Sequence, residues 1–183
     1  MNKHPQQSLG FTLVELLVTV GVFVVLTSVV LANYRGFDTN AKFANASEDI
    51  VLAIRQAQVY GVGVKGEGAS FTIPYGVYLK QSTPNQILLF ADRDAAPDGK
   101  YTTADNPIVE TINWQNVITS LSISCDGGPC GGNELSVTFR RPNVDAVIKD
   151  GAGTVYSIAT VTITKGTKTS IVTISRAGQV SIQ

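Results

Sequence analysis

Histidine and cysteine are almost absent from this chain of 183 residues, which contains one histidine, His4, and two cysteines, Cys125 and Cys130. A Ser-His-Asp or Cys-His catalytic group needs a histidine beside the nucleophile, and a protein zinc site needs three or four ligands that are commonly cysteine or histidine. The acidic residues do not form a recognisable catalytic pattern with other side chains. The sequence therefore predicts that the protein is not an enzyme.

An excess of either charge is also missing, because 14 lysines and arginines balance 14 aspartates and glutamates. A balanced chain offers no broad basic surface for a nucleic acid, so nucleic acid is not an expected partner. Short basic groups are present, but groups of this size most often belong to an ordinary solvated surface. The candidate DNA contacts among them are Arg140, Arg141, Lys165, Lys168 and Arg176.

What the sequence does contain is one long hydrophobic run near its beginning. Phe11 to Ala32 comprises 22 residues, and Glu15 is the only ionisable one. As an α-helix this run spans about 33 Å, close to the hydrocarbon thickness of a bilayer. The run therefore predicts one membrane-crossing helix, and Glu15 needs an explanation because a charge in lipid is costly.

Two ordinary explanations for the run remain open. A secretory signal peptide usually has a shorter apolar core and an A-x-A pattern at its cleavage site, and no such pattern precedes Asn33. A permanent membrane anchor also fits, and Glu15 would then reach the nearby interface along its own side chain.

The arrangement "GFTLVE", Gly10 to Glu15, resembles the class III signal of type IV prepilins and type II secretion pseudopilins. The resemblance implies that prepilin peptidase cleaves after Gly10 and methylates the new amine on Phe11. It also implies that Glu15 pairs with the amino terminus of a neighbouring subunit, which makes both charges tolerable in an apolar filament core. The expected partners are this peptidase and N-methyltransferase and other pilins or pseudopilins.

The same resemblance implies a localisation. The protein is expected as a single-pass protein of the inner (cytoplasmic) membrane with an extracytoplasmic domain, and afterwards in a cell-surface or periplasmic filament. The alternative function within this resemblance is a DNA-binding minor pilin of a competence pilus. The expected segments are a leader at 1–10, a transmembrane or filament-core helix at 11–32, its amphipathic continuation at 33–62 and a β-rich globular domain at 63–183.

The periodicity of the remaining chain predicts an α+β fold. Apolar residues recur at spacings of three and four up to Gly61, as on a helix with one buried face: Phe43, Ala46, Ile50, Ala53, Ile54 and Ala57. Short β-branched runs then alternate with turn residues. Strands are expected at 69–73, 75–80, 86–92, 107–112, 117–124, 134–139, 145–149, 155–164, 169–175 and 179–183.

The order of these elements agrees with the pilin fold that the resemblance implies, a long N-terminal hydrophobic helix packed on an antiparallel β-rich domain. The number of strands is most similar to minor pseudopilins of the H type, whose soluble part has two packed sheets. Cys125 and Cys130 enclose a four-residue turn, so in an extracytoplasmic domain we expect a disulfide that contributes about 2 kcal/mol by loop closure.

No cofactor is expected except a candidate structural calcium in the aspartate-rich stretch 92–105. Counted as a calcium-binding loop, positions one, five and twelve fall on Asp94, Asp98 and Asp105. Position three is Ala96, which has no ligand atom in its side chain. A solvated turn rich in aspartate is therefore the favoured interpretation, and calcium is the alternative.

Overall fold

The computed structural model describes residues 10–63, 72–94 and 96–183, with the side chains of residues 33–37 left out of the description. Except for Gly10, the expected leader lies outside these residues. The chain divides into two compact units, Met1–Asn40 and Ala41–Gln183. The α-helix α1 is Leu13–Val62.

In the first unit, the segment Leu13–Ala32 of α1 is mostly apolar and exposed. Leu13–Ala32 is long and apolar enough to cross a membrane, with a mean hydropathy of 2.5 and none of its residues buried within the chain. Thr12 precedes the helix, and its Oγ1 accepts a 3.2 Å hydrogen bond from the Glu15 amide. Thr12 is therefore the N-cap, which satisfies one of the amides that a helix start leaves without a partner.

In the second unit, α1 supplies one side of the hydrophobic core. All six apolar residues expected on its buried face are buried, so this prediction is confirmed: Phe43, Ala46, Ile50, Ala53, Ile54 and Ala57. The helix ends at Val62, between Gly61 and Gly63. Gly61 lies directly over the backbone of Phe139, where a larger residue would collide. A small residue is thus required where the helix passes over this strand.

Among the described residues, eleven strands follow the helix. They are β1 (Tyr75–Lys80), β2 (Gln86–Ala91), β3 (Ile108–Asn113), β4 (Ser120–Cys125), β5 (Gly128–Pro129), β6 (Glu134–Phe139), β7 (Ala146–Asp150), β8 (Val155–Tyr156), β9 (Ile158–Lys165), β10 (Lys168–Ser175) and β11 (Val180–Ile182). They form a six-stranded sheet, β3-β2-β1-β6-β7-β8, and a five-stranded sheet, β11-β10-β9-β4-β5. Every neighbouring pair is antiparallel, so the fold is α+β.

Alternation of side chains explains how the sheets share one core. In β9 and β10, every second residue is buried and the residues between them are mostly Thr or Ser. One cluster of buried side chains includes Ile54 of the helix, Val137 of the six-stranded sheet and Val161 of the five-stranded sheet. Burial of this apolar surface is what holds the second unit together.

Three strand predictions need correction. The expected strand 155–164 is divided at Ser157, because β8 pairs in one sheet and β9 in the other. The Asp126 carboxylate accepts hydrogen bonds from the amides of Ser157 and Ile158, at 3.1 and 2.8 Å, and holds the chain where it changes sheets. Of the expected strand 69–73, residues 69–71 lie outside the described residues, and residues 72–73 are not in a strand. β5 was not expected.

Candidate functional site

The residues assigned to processing lie at the exposed beginning of the first unit. Gly10 is exposed, and the Phe11 side chain is 82% exposed. Both precede α1 in a non-helical stretch. This arrangement leaves the backbone between Gly10 and Phe11 outside any helix, as cleavage by a peptidase requires.

Glu15 is exposed in the first turn of α1, and the structure gives it a local role that the sequence pattern alone did not reveal. It is three residues after the N-cap Thr12, which is the spacing of a capping box, Ser or Thr followed by Glu or Gln. A negative charge in the first turn also interacts favourably with the helix dipole. Helix capping is therefore a second explanation for an acid at this position, beside pairing with a neighbouring subunit.

The two cysteines form the expected disulfide, with their Cα atoms 5.1 Å apart. The turn between them places Gly128 opposite Cys125 as the short strand β5. Asp126 and Gly127 both have positive φ, 47° and 84°, which a tight turn of this kind requires. Both cysteines are 3% exposed, so the disulfide is part of the core and not a reactive group at the surface.

Asp150, which the sequence patterns did not single out, fastens the loop after this disulfide. It is 2% exposed and accepts hydrogen bonds from the Gly131 amide at 2.9 Å, the Thr154 amide at 2.8 Å and the Tyr156 hydroxyl at 2.8 Å. Burial by itself would raise the pKa of Asp150, but these hydrogen bonds outweigh it and lower the pKa. The Asp-Gly pair at the end of an apolar run was the available sequence signal.

Three acidic side chains meet where β2 ends. Asp92, Asp94 and Asp98 each offer a carboxylate oxygen, and these oxygens lie within 4.8 Å of one another. Two of the expected calcium ligands, Asp94 and Asp98, are thus together. Asp105 is exposed and does not belong to this group, although its charge acts on Asp94. Asp92 joins them instead, and a count that starts at Asp94 misses it.

Asp92 is completely buried. Its Oδ2 accepts a 2.8 Å hydrogen bond from the Gly99 amide, whereas no residue in 10–63, 72–94 or 96–183 provides a hydrogen-bond partner for its buried Oδ1. Burial and the nearby charges of Asp94 and Asp98 raise the pKa of Asp92. Backbone hydrogen bonds to its carboxylate act in the opposite direction, but the net shift is upward. Burial, Asp98 and Asp105 raise the pKa of Asp94. Lys149 approaches the group, with its Nζ 4.0 Å from Asp98 Oδ2.

The loop that carries these acids is held in place by its own hydrogen bonds. Asn106 accepts a hydrogen bond from the Arg93 amide at 3.1 Å and donates one to the Lys100 carbonyl at 2.9 Å. Gly99 has φ of 80°, and an added Cβ would meet Thr138 Oγ1 at 2.8 Å. Glycine is therefore required at the turn that points an amide at Asp92.

The candidate DNA contacts are placed in two groups. Lys165 and Lys168 face each other across the β9–β10 hairpin, and Lys165 Nζ donates a 2.7 Å hydrogen bond to the Asn116 carbonyl. Arg176 follows the other end of β10, about 26 Å away along an extended strand. Its carbonyl accepts a hydrogen bond from Ala146, the cross-strand partner of Phe139.

Arg140 and Arg141 come directly after Phe139, so they belong to the same end of the second unit as Arg176. All three arginines are exposed. The five basic residues thus form two separate groups, and the structure does not bring them together into one dense positive surface.

Comparison of the chain with protein-family models, with curated proteins and with solved structures found no match. A function for the protein therefore has to be argued from the residues described above.

Proposed function

We propose that the protein is a structural subunit of a type IV pilus or a type II secretion pseudopilus. It is made as a prepilin, cleaved by prepilin peptidase between Gly10 and Phe11, methylated on the new amine, and assembled through its N-terminal helix. The observation that carries this proposal is the fully exposed apolar segment Leu13–Ala32 with a single acid, Glu15, in its first turn.

An apolar surface of this size cannot remain in water, because every buried CH₂ group is worth about 0.8 kcal/mol relative to exposure. None of the segment is buried within the chain. A membrane covers the helix before assembly, and equivalent helices of neighbouring subunits cover it afterwards. In this second setting the Phe11 amine of a neighbour neutralises Glu15.

The second half of α1 supports contacts between subunits as well. Leu52 and Val59 are 62% and 66% exposed, and they are seven residues apart on the side of α1 away from the buried face. Two such residues in water are unremarkable by themselves. In a filament built from packed helices, they contact the next subunit.

We place the protein among the minor subunits. Two antiparallel sheets together with one helix are consistent with the H type of minor pseudopilin. The number of strands expected from the sequence indicated the same resemblance. The competence alternative requires that the domain bind DNA. Neither the balanced charge nor the two separate basic groups favours it.

Intact-mass measurement of the protein isolated from native membranes tests processing. The expected mass is that of Phe11–Gln183 with one added methyl group. Gly10→Val should remain unprocessed, whereas Gly21→Val, inside the exposed helix, should be processed as in the wild type. A native protein that retains Met1, or that begins after Ala32, contradicts the proposal.

A further inference from the structure

The second unit contains a group of side chains that filament assembly does not use, the carboxylates of Asp92, Asp94 and Asp98. We propose that these three side chains bind one calcium ion. The proposal rests on the second unit alone and holds whether or not the protein is a filament subunit.

The spacing of the carboxylate oxygens favours calcium. Two oxygens bound to the same calcium ion, at about 2.3–2.6 Å each, can be up to about 5.2 Å apart. For magnesium, at about 2.0–2.1 Å, the limit is about 4.2 Å. The oxygens of the three aspartates lie within 4.8 Å of one another, a separation that one calcium ion can span. One oxygen from each side chain can therefore bind the same calcium ion.

A second observation, independent of the clustering, also indicates a ligand. Asp92 is completely buried, and within the described part of the chain its Oδ1 has no hydrogen-bond partner. The same is true of the buried Asp94 Oδ1. A buried carboxylate oxygen is normally hydrogen-bonded or bound to a metal, because desolvation of an unsatisfied charged group is costly. Both side chains belong to the group of three carboxylates, so a calcium ion bound there would supply a partner for them.

The net charge of the group agrees with a divalent cation. Three carboxylates meet, and Lys149 Nζ is 4.0 Å from Asp98 Oδ2. Carboxylates this close to one another repel unless a cation or a proton neutralises part of their charge. The competing explanation is a neutral, protonated Asp92 that needs no ion.

A bound ion would connect two parts of the second unit. Asp92 directly follows β2, whereas Asp98 belongs to the loop that Asn106 holds through the Arg93 amide and the Lys100 carbonyl. The loop continues to Tyr101, whose amide donates a 3.1 Å hydrogen bond to Ser136 Oγ on β6. The ion would thus stabilise the loop against the six-stranded sheet, as a structural and not a catalytic metal.

The test uses the full-length protein in detergent, freed of metal with EDTA, and titrated separately with calcium chloride and magnesium chloride. Calorimetric titration should show one saturable calcium site, and the unfolding temperature should rise with calcium concentration. Magnesium should bind more weakly. Asp94→Asn and Asp98→Asn should each weaken calcium binding by about tenfold or more, because each loses a charged ligand.

Asp105→Asn is the matched control, since Asp105 lies in the same loop but outside the group. It should bind calcium as the wild type does. Equal losses in Asp105→Asn and Asp94→Asn would overturn the proposed ligand set in favour of the twelve-residue loop counted from Asp94.

The protonated-Asp92 explanation makes the opposite prediction. If the wild type does not respond to calcium, and Asp92→Asn is at least as stable as the wild type in EDTA, Asp92 is a neutral buried acid and the calcium site is wrong. If Asp92→Asn does not fold, the Asp94→Asn, Asp98→Asn and Asp105→Asn series still decides between the two explanations.

Discussion

Trp114 Nε1 donates a 2.9 Å hydrogen bond to the Asp49 carboxylate and thereby joins the six-stranded sheet to α1 within the second unit. Trp114 is the only tryptophan of the chain and is 7% exposed. Its fluorescence therefore reports directly on the contact between this part of the helix and the sheet. Substitution of Asp49 should therefore lower the stability of the second unit.

Asp49→Ala should lower the free energy of unfolding by about 1–2 kcal/mol, because the buried indole N–H loses an ionised acceptor. The measurement is urea unfolding of the full-length protein in detergent, followed by tryptophan fluorescence. Glu48→Ala is the matched control, since Glu48 is the exposed neighbour on the same helix, and it should change stability by less than about 0.5 kcal/mol. Equal effects in both variants would show that the hydrogen bond adds nothing.

Asp150 should make stability depend on pH in the acidic range. Its folded-state pKa is lowered, below the usual value of about 3.9, so its carboxylate stabilises the fold above about pH 4, and this contribution is lost as the pH falls through the folded-state pKa. Asp150→Asn should therefore be less stable than the wild type at pH 7, and the difference should shrink below about pH 4.

Thermal unfolding measured from pH 7 down to pH 3 checks the effect of Asp150. The control is Asp145→Asn, which changes an exposed aspartate near the other end of the same strand and should track the wild type at each pH. A difference between Asp150→Asn and the wild type that stays constant with pH would rule out ionisation of Asp150 as its cause.

Glu15→Gln should insert into the membrane and be cleaved as the wild type is, because glutamine also fits the third position of a capping box and carries no charge into lipid. It should enter filaments much less, since breaking a buried charge pair by removing one partner costs about 3–5 kcal/mol. Membrane fractionation, followed by counting of tagged subunits in sheared filaments, measures both steps.

Thr12→Val separates pairing from capping. It removes the Oγ1 that accepts the Glu15 amide but keeps the Glu15 charge, so it should enter filaments near the wild-type level. Normal entry of Glu15→Gln, by contrast, would leave Glu15 as a capping or interfacial acid only. Glu15→Asp keeps the charge on a shorter side chain and should give an intermediate result.

The protein should not bind duplex DNA tightly at physiological salt, because its five candidate DNA-contact residues form two groups at opposite ends of β10. An electrophoretic shift assay over a series of salt concentrations tests this, with the variant that carries both Arg140→Ala and Arg141→Ala beside the wild type. Tight binding that falls steeply with salt and is lost in this variant would replace the filament-subunit proposal by the competence alternative.

The features that could be read from the sequence are those that depend on neighbouring residues. The exposed apolar segment, the buried face of α1 from Phe43 to Ala57 and most of the strands follow from periods of 3.6 and 2. The disulfide between Cys125 and Cys130 could also be predicted from the sequence, because a four-residue turn leaves both sulfurs close in almost any fold. For such features the physical cause lies within a few residues of chain.

The remaining features depend on which distant segments pair, and a local period carries no such information. The division of 155–164 at Ser157 follows from pairing in two different sheets, since alternation continues on both sides of the break. Asp92 replaces Asp105 in the acidic group because the turn at Gly99 brings the loop back over the end of β2. Asp150 accepts hydrogen bonds from Gly131 and Tyr156, which belong to other segments of the chain. These hydrogen bonds form only when β7 lies beside its neighbouring strands, so they could not be predicted from the residues around Asp150.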